Sequence, residues 1–515
     1  MKATIAAMLL FGCSGTGPKS EGIKPKPKPG GDVAVATDGK APDGEIVTAE
    51  VNKMNSSAYG RPPAQFRPGH VSKIAAPKAT RTAAGFQVQF ASHATITTPT
   101  VYERAVIVSG GFQSQQLYAY EAKTGNSIWA LELHDDGPSS PACESGVCVI
   151  NTESCTIFAI AADSGKLLWS YWLGDPLTSA PTIAGNRVFA SYPAATATGG
   201  KPRPENASHA LAAFELKTGK ILWQLWLDSD VMSAPVAVGE FVYVTTFHGT
   251  VIKLEQATGK VRYAMRAKAT SAPVVKFENG TEQMFYTRRG AVNFSDDNVE
   301  GQTQTEMLIR ADHNSPKTKW KAAEKKADHI NSSAQSGTAY AKQSESQDAG
   351  NGFSGGAPAS ANAKSAYDNV GVGSVSSMQA FQGSRVVHMR DRNVNTMGDE
   401  VIATDPETGN KLWTYKLPGD AQKQGGFLGT APLAAGGSIM LGTLKGEVLR
   451  LDQKSGKPIK TYAIGAAVRS QPVVEGGWLY VGTEDGKLVA IDTKDPTVTG
   501  WPTWGGNAQR TGIAR

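Results

Sequence analysis

A ten-residue unit that recurs about every forty residues constrains this chain more than any other feature. Each copy carries a Thr-Gly or Ser-Gly turn, and in most copies an aromatic residue follows four positions after the Gly. Clear copies occupy 120–129, 160–169, 214–223 and 404–413, and partial copies occupy 254–263 and 451–460. A fixed period of this length, with short apolar runs, predicts an array of small β-sheets rather than one continuous sheet.

A second marker, a Ser/Thr-x-Pro triplet before a short apolar run, keeps the same period. The triplets lie at 97–99, 139–141, 179–181, 233–235, 271–273, 430–432 and 470–472. Proline is tolerated at the first residue of a strand because no ladder hydrogen bond is lost there. Two alternating runs follow each triplet, at 187–191 and 210–216 in the third unit, and such alternation indicates half-buried strands. Each unit is therefore predicted to form four antiparallel strands.

The spacing of the units predicts an eight-bladed β-propeller, with seven blades as the alternative. The gap between Pro273 and Pro432 holds a weak match ending in Trp320 and a full unit at about 376–413, whose first strand begins near Ser376 without a proline. The last unit supplies only three strands, so we expect residues 85–91 to provide the fourth. Closing the ring with a strand from the N-terminal side removes exposed sheet edges.

The aromatic residues of the repeat are predicted to lie across the seams between neighbouring blades. A Trp at such a seam buries roughly 150–250 Å². This interpretation assigns them to core packing rather than to a cofactor cage. The predicted blade-docking residues are Trp129, Trp169, Trp223, Tyr263, Trp320 and Trp413.

The N-terminus has the pattern of a bacterial lipoprotein signal peptide. Lys2 precedes an apolar run at 3–11, and Gly12 and Cys13 follow. We predict a signal peptide over 1–13 and lipidation of Cys13, with an unmodified cysteine as the alternative. Ser14 follows Cys13. By resemblance to lipoproteins of enteric-type bacteria, this favours the periplasmic side of the outer membrane, and the cell surface is a second location.

Composition separates two further regions from the repeats. Residues 14–84 include a Pro/Lys/Gly-rich stretch without periodicity and are predicted to form a flexible tether. Residues 85–515 are assigned to the propeller, interrupted by a low-complexity insertion at 321–366 that is rich in Ala, Ser, Gly and Lys. The net charge of +6 lies largely in the tether and in 317–326, which does not favour nucleic-acid binding.

Three cysteines fall in one blade. Cys143 and Cys148 flank a four-residue turn and can face each other across a hairpin, which predicts a disulfide in an oxidising compartment. Reduced thiols and a metal site are the alternatives. Cys155 lies at the opposite end of the second strand and is expected to be a free thiol. The eight histidines are scattered, and no His-Glu-x-x-His or Gly-x-Ser-x-Gly motif occurs, so no catalytic residue and no metal ligand is assigned.

The repeat, with its Thr-Gly turn and following Trp, resembles the repeat of pyrroloquinoline-quinone-type (PQQ-like) propellers. The tail at 501–512, with Trp504, Gly505, Gly506 and the Thr511-Gly512 pair, is similar to the ends of such chains. The resemblance implies one of two activities. Quinoprotein dehydrogenases oxidise alcohols or sugars with a quinone stacked on a Trp, and many contain calcium and a disulfide between adjacent cysteines; this chain has no adjacent pair. BamB-like lipoprotein propellers of the outer-membrane β-barrel assembly machine share the lipoprotein signal and eight blades.

We therefore expect a non-enzymatic, lipid-anchored, monomeric propeller that binds protein partners in the bacterial envelope. Neither quinone nor calcium is predicted to bind, because no ligand set for either can be assigned from the sequence. The alternatives are a quinone-dependent dehydrogenase and a propeller that binds a carbohydrate or another small ligand.

Overall fold

Eight separate antiparallel sheets form the molecule, which confirms the predicted eight-bladed β-propeller and excludes the seven-bladed alternative. The computed structural model describes residues 44–66, 70–112, 114–152, 156–173, 179–278, 281–289, 304–312, 315–327, 386–420 and 428–514. Each blade has four strands, which are given below from the innermost to the outermost; in blades 1 to 7 they follow one another in the sequence.

Blades 1 to 4 follow one another between Thr100 and Arg266. Their strands are Thr100–Tyr102, Ala105–Ser109, Gln116–Glu121 and Ser127–Glu132 in blade 1; Ala142–Glu144, Val147–Asn151, Thr156–Ala161 and Leu167–Trp172 in blade 2; Thr182–Ala184, Arg187–Pro193, His209–Glu215 and Ile221–Leu227 in blade 3; and Val236–Val238, Phe241–Thr245, Thr250–Glu255 and Val261–Arg266 in blade 4. The second and third strands of blade 3 lie close to the predicted runs.

Blades 5 to 8 complete the ring. Their strands are Val274–Glu278, Thr281–Arg289, Gln304–Asp312 and Ser315–Ala327 in blade 5; Val387–Met389, Arg392–Met397, Glu400–Thr404 and Lys411–Lys416 in blade 6; Leu433–Ala435, Ser438–Gly442, Glu447–Asp452 and Pro458–Ala463 in blade 7; and Val473–Glu475, Trp478–Gly482, Lys487–Asp492 and Gly85–Gln89 in blade 8.

The outer strand of blade 8 comes from the N-terminal side of the propeller, as predicted. Gly85–Gln89 pairs antiparallel with Lys487–Asp492, with Phe86 opposite Ala490. Phe86, Val88 and Phe90 are almost completely buried. The apolar contacts of this strand therefore join the two ends of the propeller.

An N-terminal arm, residues 44–82, follows the outer edges of several blades. Its elements are Glu45–Ile46, the helix Thr48–Met54, Gln65–Phe66, Ser72–Lys73 and Thr80–Thr82. The strands pair with the outer strands of blades 4, 2, 1 and 8 respectively. This corrects the flexible tether predicted over 14–84 for its part from Gly44 onward. Pairing segments of two or three residues are too short to leave a periodic signal.

Two further boundaries differ from the sequence prediction. The outer strand of blade 5 continues to Ala327, which is inside the insertion predicted at 321–366. The first strand of blade 6 begins at Val387, later than the expected start near Ser376. Residues 328–385 lie outside the described part of the chain.

The hydrophobic core consists of separate layers between neighbouring sheets. Between blades 3 and 4, for example, Phe189 and Leu211 of one sheet meet Val242 and Leu254 of the next. All four side chains have no solvent exposure. Each blade thus buries both faces only through its neighbours. Among the described residues, no helix has the length and apolarity needed to cross a bilayer.

Candidate functional site

Four of the predicted docking residues make the same contact across a seam. Each indole Nε1 donates a hydrogen bond to a main-chain carbonyl of the next blade. The bonds run from Trp129 to Ala162 (2.9 Å), Trp169 to Leu216 (2.8 Å), Trp223 to Gln256 (2.9 Å) and Trp413 to Gln453 (2.9 Å). Each accepting residue lies three positions before the Gly of the next repeat's turn. The repeat therefore encodes both the donor and its acceptor.

The turn glycine of the next blade lies directly against each indole. At Gly219, φ is +71°, and a Cβ would come within 2.6 Å of Cδ2 of Trp169. Gly is the residue that combines this left-handed backbone with so close an approach. The Gly in the repeat thus forms the turn and also makes room for the preceding blade's Trp.

The seam from blade 8 to blade 1 uses two residues that the sequence analysis did not identify. Phe86 packs against Gly125, where a Cβ would be 2.8 Å from the Phe86 ring. Phenylalanine has no N–H to donate, and Tyr480 Oη supplies the hydrogen bond to the Ala122 carbonyl instead (3.0 Å). Phe86 lies inside the predicted closing strand, but no Thr-Gly turn precedes it at the spacing of the repeat, so the motif does not mark it.

In five blades, the third-strand residue that faces the docking residue of the outer strand is Ala. In blades 4, 5 and 7 this residue is a cation. These are Lys253 opposite Tyr263, Arg310 opposite Trp320 and Arg450 opposite Lys460. Arg310 Nη1 donates to the Pro406 carbonyl (3.0 Å), which is the acceptor position used by the Trp residues elsewhere. The side chain of Trp320 is outside the described part of the structure.

The seam between blades 4 and 5 contains a buried ion pair. Lys253 bonds Glu282, and both side chains are only 3% exposed. The Lys253 ammonium also lies 3.8 Å from the ring centre of Phe241, and Tyr263 Oη contacts Met284 Sδ at 2.7 Å. A desolvated pair is stable only with close geometry, so this seam is sensitive to loss of either partner.

Cys143 and Cys148 lie opposite each other on the first two strands of blade 2, and the structure joins them in a disulfide. Their Cα atoms are 4.1 Å apart. The turn between them reaches both neighbouring blades, since Gly146 N donates to Tyr102 Oη (2.8 Å) and Gly185 N donates to Glu144 (3.2 Å). Cys13 and Cys155 lie outside the described residues.

The C-terminal tail, residues 497–514, crosses the inner strands around the ring axis. Its carbonyl oxygens accept hydrogen bonds from the inner strands of five blades. The bonds run from Val474 to Trp501, Val101 to Pro502, Ile183 to Ala508, Ala237 to Gln509 and His388 to Gly512, at 2.7–3.0 Å. The tail thereby pairs with inner strand edges that face the axis.

Two tail residues are buried at the axis itself. Arg510 has no solvent exposure and donates to the carbonyls of Ser140 (3.1 Å), Pro141 (3.0 Å) and Trp504 (2.8 Å). Its guanidinium carbon lies 5.2 Å from the Trp504 ring centre. Trp504 also packs against Ala180, and it is 2% exposed.

A family model described as "Outer membrane protein assembly factor BamB" matches the chain at 91–201, 205–299 and 397–504. These stretches make up more than half of the chain. The chain belongs to the BamB family.

Individual BamB relatives are distant. BamB of Nitrosomonas eutropha is 25% identical over 186 residues, which cover 33% of this chain and 42% of that protein. BamB of Shewanella oneidensis is 24% identical over 215 residues, covering 39% of this chain and 54% of the relative. The aligned part thus spans about half or less of each relative. The crystal structure of BamB from Moraxella catarrhalis gives a TM-score of 0.47 at 15% identity over 82% of this chain and 97% of that one.

The two tryptophans in the tail of this BamB-family chain are buried. Trp504 is 2% exposed and Trp501 is 1% exposed. Arg510 covers part of the Trp504 ring. Within the described ranges, no group of three or more His, Cys, Asp or Glu residues is placed to hold a metal ion.

A buried histidine lies between blades 3 and 4. His209 has no solvent exposure, and its Nδ1 lies 2.8 Å from Ser208 Oγ. Burial lowers the pKa of His209 to about 3, against a smaller opposing effect of Asp228. The ring is therefore neutral at physiological pH and is not suited to general acid–base catalysis there.

The arm leaves a groove where it passes blade 3. The groove has a volume of about 550 Å³, and Tyr59, Arg61, Lys201, Gln224 and Trp226 contribute to its walls. Asn55 fastens the arm here by accepting from Trp226 N (2.6 Å) and donating to Trp226 O (3.1 Å). Arg61 and Lys201 are the cationic residues among those that line this groove, and no Asp or Glu is among them.

Blades 3, 5, 6 and 7 have no fifth strand on their outer edge among the described residues. Among the described residues, no segment pairs with Lys411–Lys416 or Pro458–Ala463. Leu412 is 44% exposed and Ile459 is 53% exposed. These sheet edges are accessible surfaces of the propeller, whereas Arg510 and Trp504 are buried where the tail crosses the inner strands.

Proposed function

We propose that this chain is a non-enzymatic propeller scaffold that holds protein partners during assembly of outer-membrane proteins. The observation that carries the proposal is the BamB family match over most of the repeats. The relatives' name describes an outer membrane protein assembly factor, and the same role is proposed for this chain. The outer strands that have no added strand among the described residues support it, because they leave sheet edges to which a partner could bind.

The proposal includes a place in the cell. Residues 1–13 act as a signal peptide, and lipid on Cys13 anchors the chain to the periplasmic side of the outer membrane. The segment from 14 to the start of the arm at Gly44 then links the lipid to the ring. The propeller acts as a monomer, and neither quinone nor calcium takes part.

The test is a crosslinked pull-down of the tagged, full-length protein from solubilised envelope, with proteomics of the eluate. The control is Cys13→Ala, which lacks the lipidation site. We expect components of the barrel-assembly machine to be enriched over that control. No enrichment of any envelope complex would remove the scaffold role.

A parallel assay tests the absence of enzymatic activity. The purified protein is incubated with pyrroloquinoline quinone and Ca²⁺, and dye reduction is followed with alcohols and aldose sugars. We expect no turnover above the protein-free control. Turnover that is lost after chelation would replace the scaffold proposal with a dehydrogenase.

A further inference from the structure

The N-terminal arm shows how an added strand binds the edge of a blade in this protein. At blade 4, Glu45 lies opposite Arg266 and Ile46 lies opposite Met265. Val47 N donates to the Ala264 carbonyl (2.9 Å), and Ala264 N donates to Thr48 Oγ1 (2.9 Å). The N–H and C=O groups of Ala264 thus face outward, and both form hydrogen bonds with the arm.

An arginine and two glutamates complete this contact at blade 4. Arg266 donates to Glu45 Oε2 at 2.9 Å and to Glu50 Oε2 at 2.5 Å. The arm therefore adds a carboxylate opposite a cation at the end of the outer strand. Backbone bonds supply the pairing, and the charges specify the register.

Blade 6 repeats these features without an occupant among the described residues. Lys416 lies opposite Glu400, as Arg266 lies opposite Thr250, so the two cations hold equivalent positions. By the same register, Thr414 corresponds to Ala264. The Lys416 side chain is 76% exposed and comes no closer than 4.0 Å to Asp399.

Blade 7 offers a poorer edge. Its outer strand begins with Pro458, and Ala463 stands where blades 4 and 6 have a cation. Lysines on an edge strand also deter aggregation. The positive charge of these lysines repels cationic segments. At Lys416 it attracts an acidic segment.

We propose that the outer edge of blade 6 accepts, as an added β-strand, an extended segment of a partner protein that carries a carboxylate opposite Lys416. The inference rests on the scaffold function, and it names the surface and the chemistry of the partner. The segment at Glu45–Ile46 is the template for its sequence, with an acidic residue followed by an aliphatic one.

The experiment uses photo-crosslinking in the purified full-length protein. The probe is a fluorescent peptide with the sequence of residues 43–54. p-Benzoylphenylalanine replaces either Leu412 in blade 6 or Leu168 in blade 2. Both residues directly precede a docking Trp, and they are 44% and 39% exposed. The blade 2 edge is paired with the arm, so it is the matched control.

We expect the peptide to label position 412 several-fold more than position 168. Lys416→Glu should lower labelling at 412 by about threefold or more, because the charge pair becomes repulsive. Lys411→Glu, at the other end of the same strand, should leave labelling within about twofold, since it lies roughly 16 Å away. A peptide with Glu45→Lys should restore labelling of the Lys416→Glu protein.

Equal labelling at the two positions, labelling insensitive to Lys416→Glu, or no labelling at 412 would each overturn the proposal. Circular dichroism and the melting temperature of each variant show that the ring is intact. The result is separable from the scaffold test: peptide labelling without envelope partners removes the assembly role alone. Partners enriched in the pull-down without labelling at 412 remove the blade 6 site alone.

Discussion

At the residue scale, four Trp seams and the seam between blades 8 and 1 each have one hydrogen-bond donor and one carbonyl acceptor on neighbouring blades. Trp169 and the Leu216 carbonyl form one such pair, and Tyr480 and the Ala122 carbonyl form another. The repeat motif predicted the donors in the Trp seams, because a local pattern contains them. It did not predict Tyr480. In blade 8 the hydrogen bond to the next blade comes from this hydroxyl on the second strand, whereas in the Trp seams it comes from the outer strand.

Gly219→Ala should destabilise the protein more than a Gly→Ala change at a comparable turn. The new Cβ would come within 2.6 Å of Trp169 Cδ2, and φ is already +71°. We expect a loss of about 2–4 kcal/mol in the free energy of unfolding from overpacking and backbone strain. Urea denaturation measures it.

Gly239→Ala is the control, because its φ is +58° and no atom lies within 4 Å of the added Cβ. It should cost only the backbone strain, about 1–2 kcal/mol. Equal losses in the two variants would mean that the Trp169 contact is not tight.

His209 should make stability depend on pH. Its pKa is lowered to about 3 by burial, whereas an unfolded chain has the ordinary value near 6.5. Below pH 6.5 the unfolded chain binds the extra proton, so stability is full above that pH and falls as the pH decreases toward 3. The loss at pH 5 relative to pH 8 should be about 2 kcal/mol.

Urea denaturation of His209→Gln at pH 5 and pH 8 tests this. The variant should lose about 2 kcal/mol less between the two pH values than the wild type does. His93→Asn, at an exposed turn, should keep the wild-type difference. An unchanged pH difference in His209→Gln would assign the effect to other groups.

Among the secondary-structure elements, the strands added from outside the repeats decide how the ring closes and which edges stay open. Gly85–Gln89 completes blade 8, and four short arm segments pair with outer strands. The closing strand could be predicted because the last unit lacked its fourth strand. The arm could not, since two-residue pairings have no pattern of their own and are selected by the edges that they meet.

A chain that begins at residue 95 should be much less stable than one that begins at residue 84. The shorter chain lacks Phe86, Val88 and Phe90, which are all at most 1% exposed. Their burial contributes at least about 5 kcal/mol, so its melting temperature should fall sharply. Differential scanning fluorimetry compares the two chains. Equal melting temperatures would contradict closure by this strand.

Removing the Cys143–Cys148 disulfide should have a modest effect. The bridge spans a sequence separation of 5, so its loss should cost about 2 kcal/mol. The double variant Cys143→Ser/Cys148→Ser is compared with the oxidised protein in urea. Mass spectrometry after alkylation without reductant should find both cysteines unmodified. Full alkylation there would show that the bridge does not form.

The whole molecule is organised about its axis, where the tail joins blades that are far apart in sequence. Arg510 contacts the carbonyls of Ser140 and Pro141 from a position 370 and 369 residues away. The Trp and Gly pattern of the tail resembled the ends of related chains. Its position at the axis, with Trp504 buried, followed only from the closed ring.

Arg510→Met should reduce the stability of the entire ring. The change leaves buried carbonyls of blade 2 and of the tail without their donor, which should cost about 3 kcal/mol or more. Arg469→Met is the control, because its ion pair with Glu484 is partly exposed. That variant should lose less than about 1 kcal/mol. Chemical denaturation gives both values, and similar losses would contradict a structural role of Arg510 at the axis.

The sequence by itself determined the blade architecture, the closing strand and four Trp seams, and it favoured eight blades over seven. Turns, alternation and the spacing of Trp from Gly are local, so they can be read within a few dozen residues. Only the tertiary structure decided the course of the arm, the burial of the tail, the charged seams and the open edge of blade 6. These features depend on which surfaces meet after the ring closes. The hydrogen bond from Tyr480 to the Ala122 carbonyl, for example, joins residues that are 358 positions apart in the sequence.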